Sequence, residues 1–253
     1  MRKNWPIPIL GLLIYGSLFY ISLIGERSRP AHAAGASLID CVKAEAQRNF
    51  SSFADYQCDL VSYRKAWQMD GKLDRDNVMK KRWYVKRPNK KKEVFVSGTV
   101  NGQPAKEGEF IFEKLGLDSS TSFYDIECFR PGNENNFKLG EGGPAAVEGQ
   151  TFRVLNLESL APAKTNLIRG KMYLPVDSCR VARMEGRFLH RAIQKNEVDF
   201  KAVFTMVGTN LWLPKEMTIE GQVKMGWMKR KIYSRNEFSN YQINVGLADS
   251  LFK

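Results

Sequence analysis

Residues able to act on a substrate are few in this chain. Beyond residue 33 it holds one histidine, His190. A Ser/His/Asp triad would have to combine it with Asp177 and Ser178, yet no G-x-S-x-G turn surrounds that serine. One histidine with scattered carboxylates also makes a poor metal centre, because zinc takes three or four clustered protein ligands. The four cysteines, Cys41, Cys58, Cys128 and Cys179, show no C-x-x-C spacing, which argues against a metal or redox motif. No catalytic residue, metal or cofactor is expected, and the reading turns to binding.

Two patterns suit binding. The first is apolar and periodic. From Gly170 to Tyr241 the chain reads as consecutive antiparallel strands: Phe200, Ala202, Phe204 and Met206 alternate with Lys201, Val203, Thr205 and Val207, and Met217 and Ile219 alternate with Glu216, Thr218 and Glu220. Val223, Met225 and Trp227 continue the series. Successive strand side chains face opposite sides, so one sheet face is apolar and rich in Met and aromatic residues. The second pattern is basic. Lys80, Lys81, Arg82, Lys86, Arg87, Lys90, Lys91 and Lys92 follow one another with no acid between them. The whole chain carries a net charge of +12, which favours anionic partners such as lipid headgroups.

The elements that would position these residues are mostly strands. Ser37 to Phe50 predicts a helix capped by Ser37, with Glu45 intruding on its apolar stripe. Tyr56 to Met69 alternates: Val61, Tyr63 and Trp67 share one face, Cys58 and Leu60 the other. Val78 to Arg87 and Glu93 to Val100 form a hairpin about Pro88-Asn89-Lys90. Asn101-Gly102 is a strong turn signal. Glu109 to Leu117 reads as a strand end or a short helix, and Phe123 to Phe129 as helix or strand. The Gly- and Asn-rich Pro131 to Pro144 reads as a long surface loop. Gly149 to Leu157 and Lys171 to Leu174 are strands. Cys179 to Phe188 reads as a strand against a competing helical spacing of Arg180, Arg183, Arg187, Arg191 and Lys195, with Gly186 opposing a helix interior.

The N-terminus indicates the compartment. Arg2 and Lys3 precede an apolar run from Ile7 to Ile24, and Ala31-His32-Ala33 follows. This is the form of a secretory signal with cleavage after Ala33, residues 1–33 being the leader and 34–253 one domain; the alternative is an uncleaved inner-membrane anchor facing the periplasm. Cleavage removes Arg2, Lys3, Arg27 and Arg29 together with Glu26, taking the net charge from +12 to +9. An even cysteine count in an exported chain suggests two disulfides among three connectivities, Cys41–Cys58 and Cys128–Cys179 being favoured, with free buried thiols as the alternative. Export also argues against nucleic acid as a partner.

Three stretches carry a family resemblance: Trp83-Tyr84-Val85-Lys86-Arg87-Pro88-Asn89-Lys90; Lys171-Met172-Tyr173-Leu174-Pro175-Val176-Asp177 with Arg180-Val181-Ala182-Arg183; and Leu211-Trp212-Leu213-Pro214 running through Tyr233 to Ser239-Asn240-Tyr241. Together with the order of signal, helix and two strand meanders, they resemble the periplasmic lipoprotein-carrier superfamily of the LolA/LolB type. The resemblance implies a mainly β, α+β fold: an open antiparallel half-barrel wrapped over a few helices, with an apolar cavity. It implies a non-catalytic periplasmic carrier that binds lipid acyl chains or lipoproteins. On that footing Trp67, Phe95, Phe204, Met206, Trp212, Met217, Met225 and Trp227 are expected to line the cavity. The basic residues Lys80 to Lys92 are expected to form a rim for an anionic membrane surface. The second reading is an interaction or sensor module of the cell envelope, docking on an inner- or outer-membrane protein.

Overall fold

Long alternating runs interrupted by Gly- and Asn-bearing turns leave the chain little choice but strands. The computed structural model describes residues 37–109, 137–160, 167–189, 197–208, 210–225 and 228–253. Helix α1 spans Leu38–Ser51. It is followed by β1 Asp55–Trp67, β2 Leu73–Lys86, β3 Lys90–Val100 and β4 Gln103–Pro104. Then come β5 Phe137–Val147, β6 Gln150–Ser159, β7 Leu167–Pro175 and β8 Arg183–Leu189. Strands β9 Glu197–Val207, β10 Leu211–Met225 and β11 Met228–Ile243 follow, with a short 3-10 helix at Asp249–Phe252. All belong to one compact unit, Leu38–Lys253.

The strands form one open sheet in the order β4-β3-β2-β1-β11-β10-β9-β8-β7-β6-β5, each pair of neighbours antiparallel. Two meanders run outward from the centre, and one long-range pairing, β1 with β11, joins them: Leu60 opposes Phe238 and Ser62 opposes Asn236. Consecutive strands β4 and β5 therefore sit at opposite edges. The turn between β3 and β4 uses Asn101 and Gly102, both at positive φ (52° and 80°), as a two-residue hairpin loop requires.

Two expectations are corrected. Pro131 to Pro144 is no loop throughout: from Phe137 it is edge strand β5. An edge strand needs hydrogen bonds along one side only, so it tolerates Gly and Pro. Here the register shifts between Gly142 and Ala145, and the bulge accommodates Gly143 and Pro144. The Arg180 to Lys195 ambiguity resolves partly. Arg183–Leu189 is strand, so the helical arginine spacing is coincidental there, and Cys179 to Ala182 precedes the strand. Arg191 and Lys195 lie outside the described residues, as do Leu117 and the whole of Phe123 to Phe129.

Gly170 and Gly186 face each other across β7 and β8. A Cβ on Gly186 would lie 2.3 Å from the Arg169 carbonyl oxygen and 2.5 Å from the Gly170 Cα. Both obstacles are backbone, so the two strands would have to part. Gly186→Ala is expected to destabilise by about 1–3 kcal/mol, the usual range for overpacking; a urea midpoint unchanged from the parent would show that the strands separate freely.

Candidate binding face

Strand alternation gathers one set of side chains onto the inner face of the sheet. On β1 these are Tyr56, Cys58 and Leu60; on β2, Trp83 and Val85; on β11, Phe238; on β10, Met217; on β9, Phe200, Ala202 and Phe204; on β8, Met184; on β7, Met172 and Leu174; on β6, Leu155 and Leu157. The aromatic rings touch in sequence. Phe53 and Tyr56 centroids are 5.3 Å apart, Tyr56 and Trp83 6.0 Å, Trp83 and Phe238 5.4 Å. These separations suit edge or tilted packing, which adds to the area buried.

Helix α1 lies on this face, with Val42 fully buried and Leu38, Ile39 and Ala46 partly so. The sheet is far larger than the helix. Eleven strands at about 4.8 Å spacing span roughly 50 Å, whereas 14 residues make a helix about 21 Å long and about 10 Å across.

Polar contacts hold α1 at both ends. The Leu38 N–H donates to Glu141 of β5 (2.9 Å). Asn49 accepts from the Trp212 N–H (2.7 Å) and donates to the Trp212 carbonyl (2.9 Å). The Arg87 guanidinium stacks over the Phe50 and Phe53 rings, 5.2 and 5.4 Å from their centroids. Glu45, the odd residue in the apolar stripe, meets Arg180 at 2.5 Å.

Beside that ion pair lies the disulfide, and it overturns the expected pairing. Cys41 bonds Cys179, with Cα atoms 5.7 Å apart. The bridge ties α1 to the connection between β7 and β8 and not to β1. Cys58 is a buried free thiol, and Cys128 lies outside the described residues. Cys58 points into the inner face, where burial pushes its thiol up to about 12 against the opposing effect of a hydrogen bond from Tyr241. Nucleophilic attack needs the thiolate. Iodoacetamide at pH 8 is therefore expected to leave Cys58 unmodified in the native protein and to label it after unfolding, as peptide mass spectrometry would report.

One patch of the inner face is polar. Arg64 opposes Asn77 of β2 on one side and Ser234 of β11 on the other, and Ser62 opposes Met79 and Asn236. Ser62, Arg64, Asn77, Ser234 and Asn236 are all at most 9% exposed. The Ser62 hydroxyl donates to Asn236 Oδ1 at 2.5 Å. One row along, Lys81 is 5% exposed and pairs with Glu93 at 2.9 Å. Neither the amide nitrogen nor the oxygen of Asn77 has a hydrogen-bond partner. Leaving a buried group in that state costs about 1–3 kcal/mol. The sequence carried a signal that was not used: Ser62, Arg64 and Ala66 continue the alternation of Cys58 and Leu60.

The expected cavity residues scatter. Phe204 and Met217 are buried in the inner-face core, and Trp212 packs on its margin, its indole N–H donating to the Val181 carbonyl. Phe95 shares the inner register with Lys81. Trp67 opposes Lys231 on the other face, out of phase with Ala66 and Ile232. Met206 is 52% exposed at the end of β9, with Arg180 Nη1 3.6 Å from its sulfur. The Met225 side chain and Trp227 lie outside what is described, and so does His190.

The basic residues divide as well. Lys81 belongs to the inner face. Arg87 is stacked under α1. Arg82 pairs with Asp59 (2.7 Å), and Lys86 and Lys90 both reach Asp249 (2.7 and 2.9 Å). These two ammonium groups, hydrogen-bonding Asp249, hold its carboxyl down at about 2. Lys80 and Lys92 lie on the outer side of the hairpin, near exposed Val94 and Val96. Among the described residues no three His, Cys, Asp or Glu side chains are grouped as metal ligands would be, and no helix is long and apolar enough to cross a membrane.

No family model matches the sequence, and no curated protein matches it. Solved structures do. The chain is similar to a DUF1329 family protein from Desulfovibrio piger, at 15% identity over 86% of this chain and 98% of that one, with a TM-score of 0.47. It is also similar to an outer membrane lipoprotein-sorting protein domain from Vibrio parahaemolyticus, at 10% identity over 84% of this chain and 94% of that one, TM-score 0.48. A third similarity is to the MucA/MucB complex of Pseudomonas aeruginosa, at 10% identity over 83% and 100% of the two chains, TM-score 0.23.

Proposed function

We propose that this protein is a non-catalytic carrier that holds lipid acyl chains against the inner face of its open sheet. One observation carries the reading: the apolar inner face runs from β2 to β6 across the sheet, and α1, the one α-helix among the described residues, has a footprint several times smaller. An acyl chain is a suitable occupant of such a face, since each buried CH₂ contributes about 0.8 kcal/mol without directional contacts. The Met residues of this face, Met172, Met184 and Met217, adapt to chains of varying shape. The outer side of the β2–β3 hairpin, with Lys80, Lys92, Val94 and Val96, is the part suited to an anionic membrane surface.

The carrier is proposed to act after export, in the periplasm, because the N-terminal 33 residues have the form of a cleaved signal. N-terminal sequencing of the exported protein checks this: a first residue at Ala34 fits a shuttle, and an intact Met1 segment favours an anchored interaction module. The lipid itself is tested by native mass spectrometry of protein purified from its host, together with a fluorescent fatty-acid probe. Co-purified lipid and saturable probe binding are expected. Absence of both would sink the carrier reading.

A further inference from the structure

The polar patch of the inner face has no place in a site built only for hydrocarbon. Its members come from three adjacent strands: Asn77 from β2, Ser62 and Arg64 from β1, Ser234 and Asn236 from β11. They form two neighbouring rows in register, so the side chains converge and do not merely coincide in sequence. Apolar residues flank them, Leu60 and Phe238 on one side and Ala66 and Ile232 on the other. The group brings one guanidinium, two amides and two hydroxyls and no carboxylate. Two rows away, the Glu93 carboxylate bonds Lys81 at 2.9 Å. The side-chain amide of Asn77, the cross-strand neighbour of Arg64, is 1% exposed with neither polar atom hydrogen-bonded. A buried amide in that condition is retained against its desolvation penalty only where something repays it, and a bound ligand group does so.

We propose that Ser62, Arg64, Asn77, Ser234 and Asn236 form a subsite for the oxyanion head of an acidic amphiphile, a carboxylate or a phosphate ester, whose acyl chain lies on the adjoining apolar residues. This rests on the carrier reading and names its ligand class. The Asn77 amide N–H and the Arg64 guanidinium are the donors to the head; guanidinium geometry matches either oxyanion. The carrier then prefers a charged amphiphile over a neutral one of equal chain length.

The test uses the exported protein after delipidation, with palmitate, hexadecyl phosphate and hexadecanol each displacing a fluorescent fatty-acid probe. At least one of the two acids is expected to bind tenfold or more tightly than hexadecanol, and the stronger of the two identifies the head. Asn77→Ala removes an unsatisfied amide and keeps the fold, so it remains informative even where Arg64→Gln fails to fold. Asn77→Ala is expected to shrink the preference to threefold or less with hexadecanol affinity unchanged, and Asn77→Asp, which sets a like charge beside the head, to abolish it. Equal affinity of the acids and hexadecanol in the parent overturns the subsite alone. A preference that survives Asn77→Ala and Asn77→Asp also overturns it. Failure of all three compounds to bind overturns the carrier reading and the subsite with it.

Discussion

Replacing Cys41 and Cys179 by serine is expected to lower the unfolding free energy by about 3–5 kcal/mol, the upper part of the range for a native disulfide. The bridge closes a loop with a sequence separation of 138, and the entropy removed from the unfolded chain grows with loop length. It also pins α1, whose 14 residues would be a marginal helix alone. The measurement is a urea titration of parent and double variant, with Cys58→Ser as control. Cys58 is buried and forms no disulfide, so its small change should cost far less. A double variant within about 1 kcal/mol of the parent would show that the Glu45–Arg180 pair and the Asn49–Trp212 hydrogen bonds suffice to hold the helix. In that case the bridge has no energetic role in keeping α1 on the binding face.

Trp83→Ala carries the second large effect, about 3–5 kcal/mol of lost stability. Trp83 is 1% exposed and packs on Tyr56 and Phe238. It therefore joins β2 to β1 and β11 at the seam where the two meanders meet. The surrounding strands are fixed by their ladders and cannot close the void, so the cavity penalty adds to the transfer penalty. Trp83→Phe, which keeps much of the ring volume, should recover most of the loss. Chemical denaturation distinguishes the cases: a loss below about 1.5 kcal/mol for Trp83→Ala would mean that the seam relaxes around the missing indole.

Much of the molecule was legible in the chain because strand alternation is a local property. Phe200, Ala202 and Phe204 were expected on one face and are buried together. Asn101 and Gly102 were expected to turn and do so at positive φ. The helix expected over Ser37 to Phe50 is found at Leu38–Ser51. The candidate site was less legible. Phe204 and Met217 reach the inner face, whereas Trp67 and Met206 do not share its burial. In Trp67 the apolar character was read correctly and its phase was not, because the buried phase of β1 belongs to Ser62, Arg64 and Ala66.

By itself, then, the sequence determined that the protein is built of antiparallel strands with one apolar face and that its net charge is strongly positive. These follow from residue type and from spacing over a few positions. Tertiary structure alone decided that Cys41 meets Cys179, that the Gly-rich stretch from Phe137 is an edge strand, that Lys81 turns inward from its basic run, and that Asn77, Arg64 and Ser234 stand side by side. Each depends on pairing between segments far apart in the chain. Register is a property of two strands at once, and a shift of one residue would send every one of these side chains to the other face.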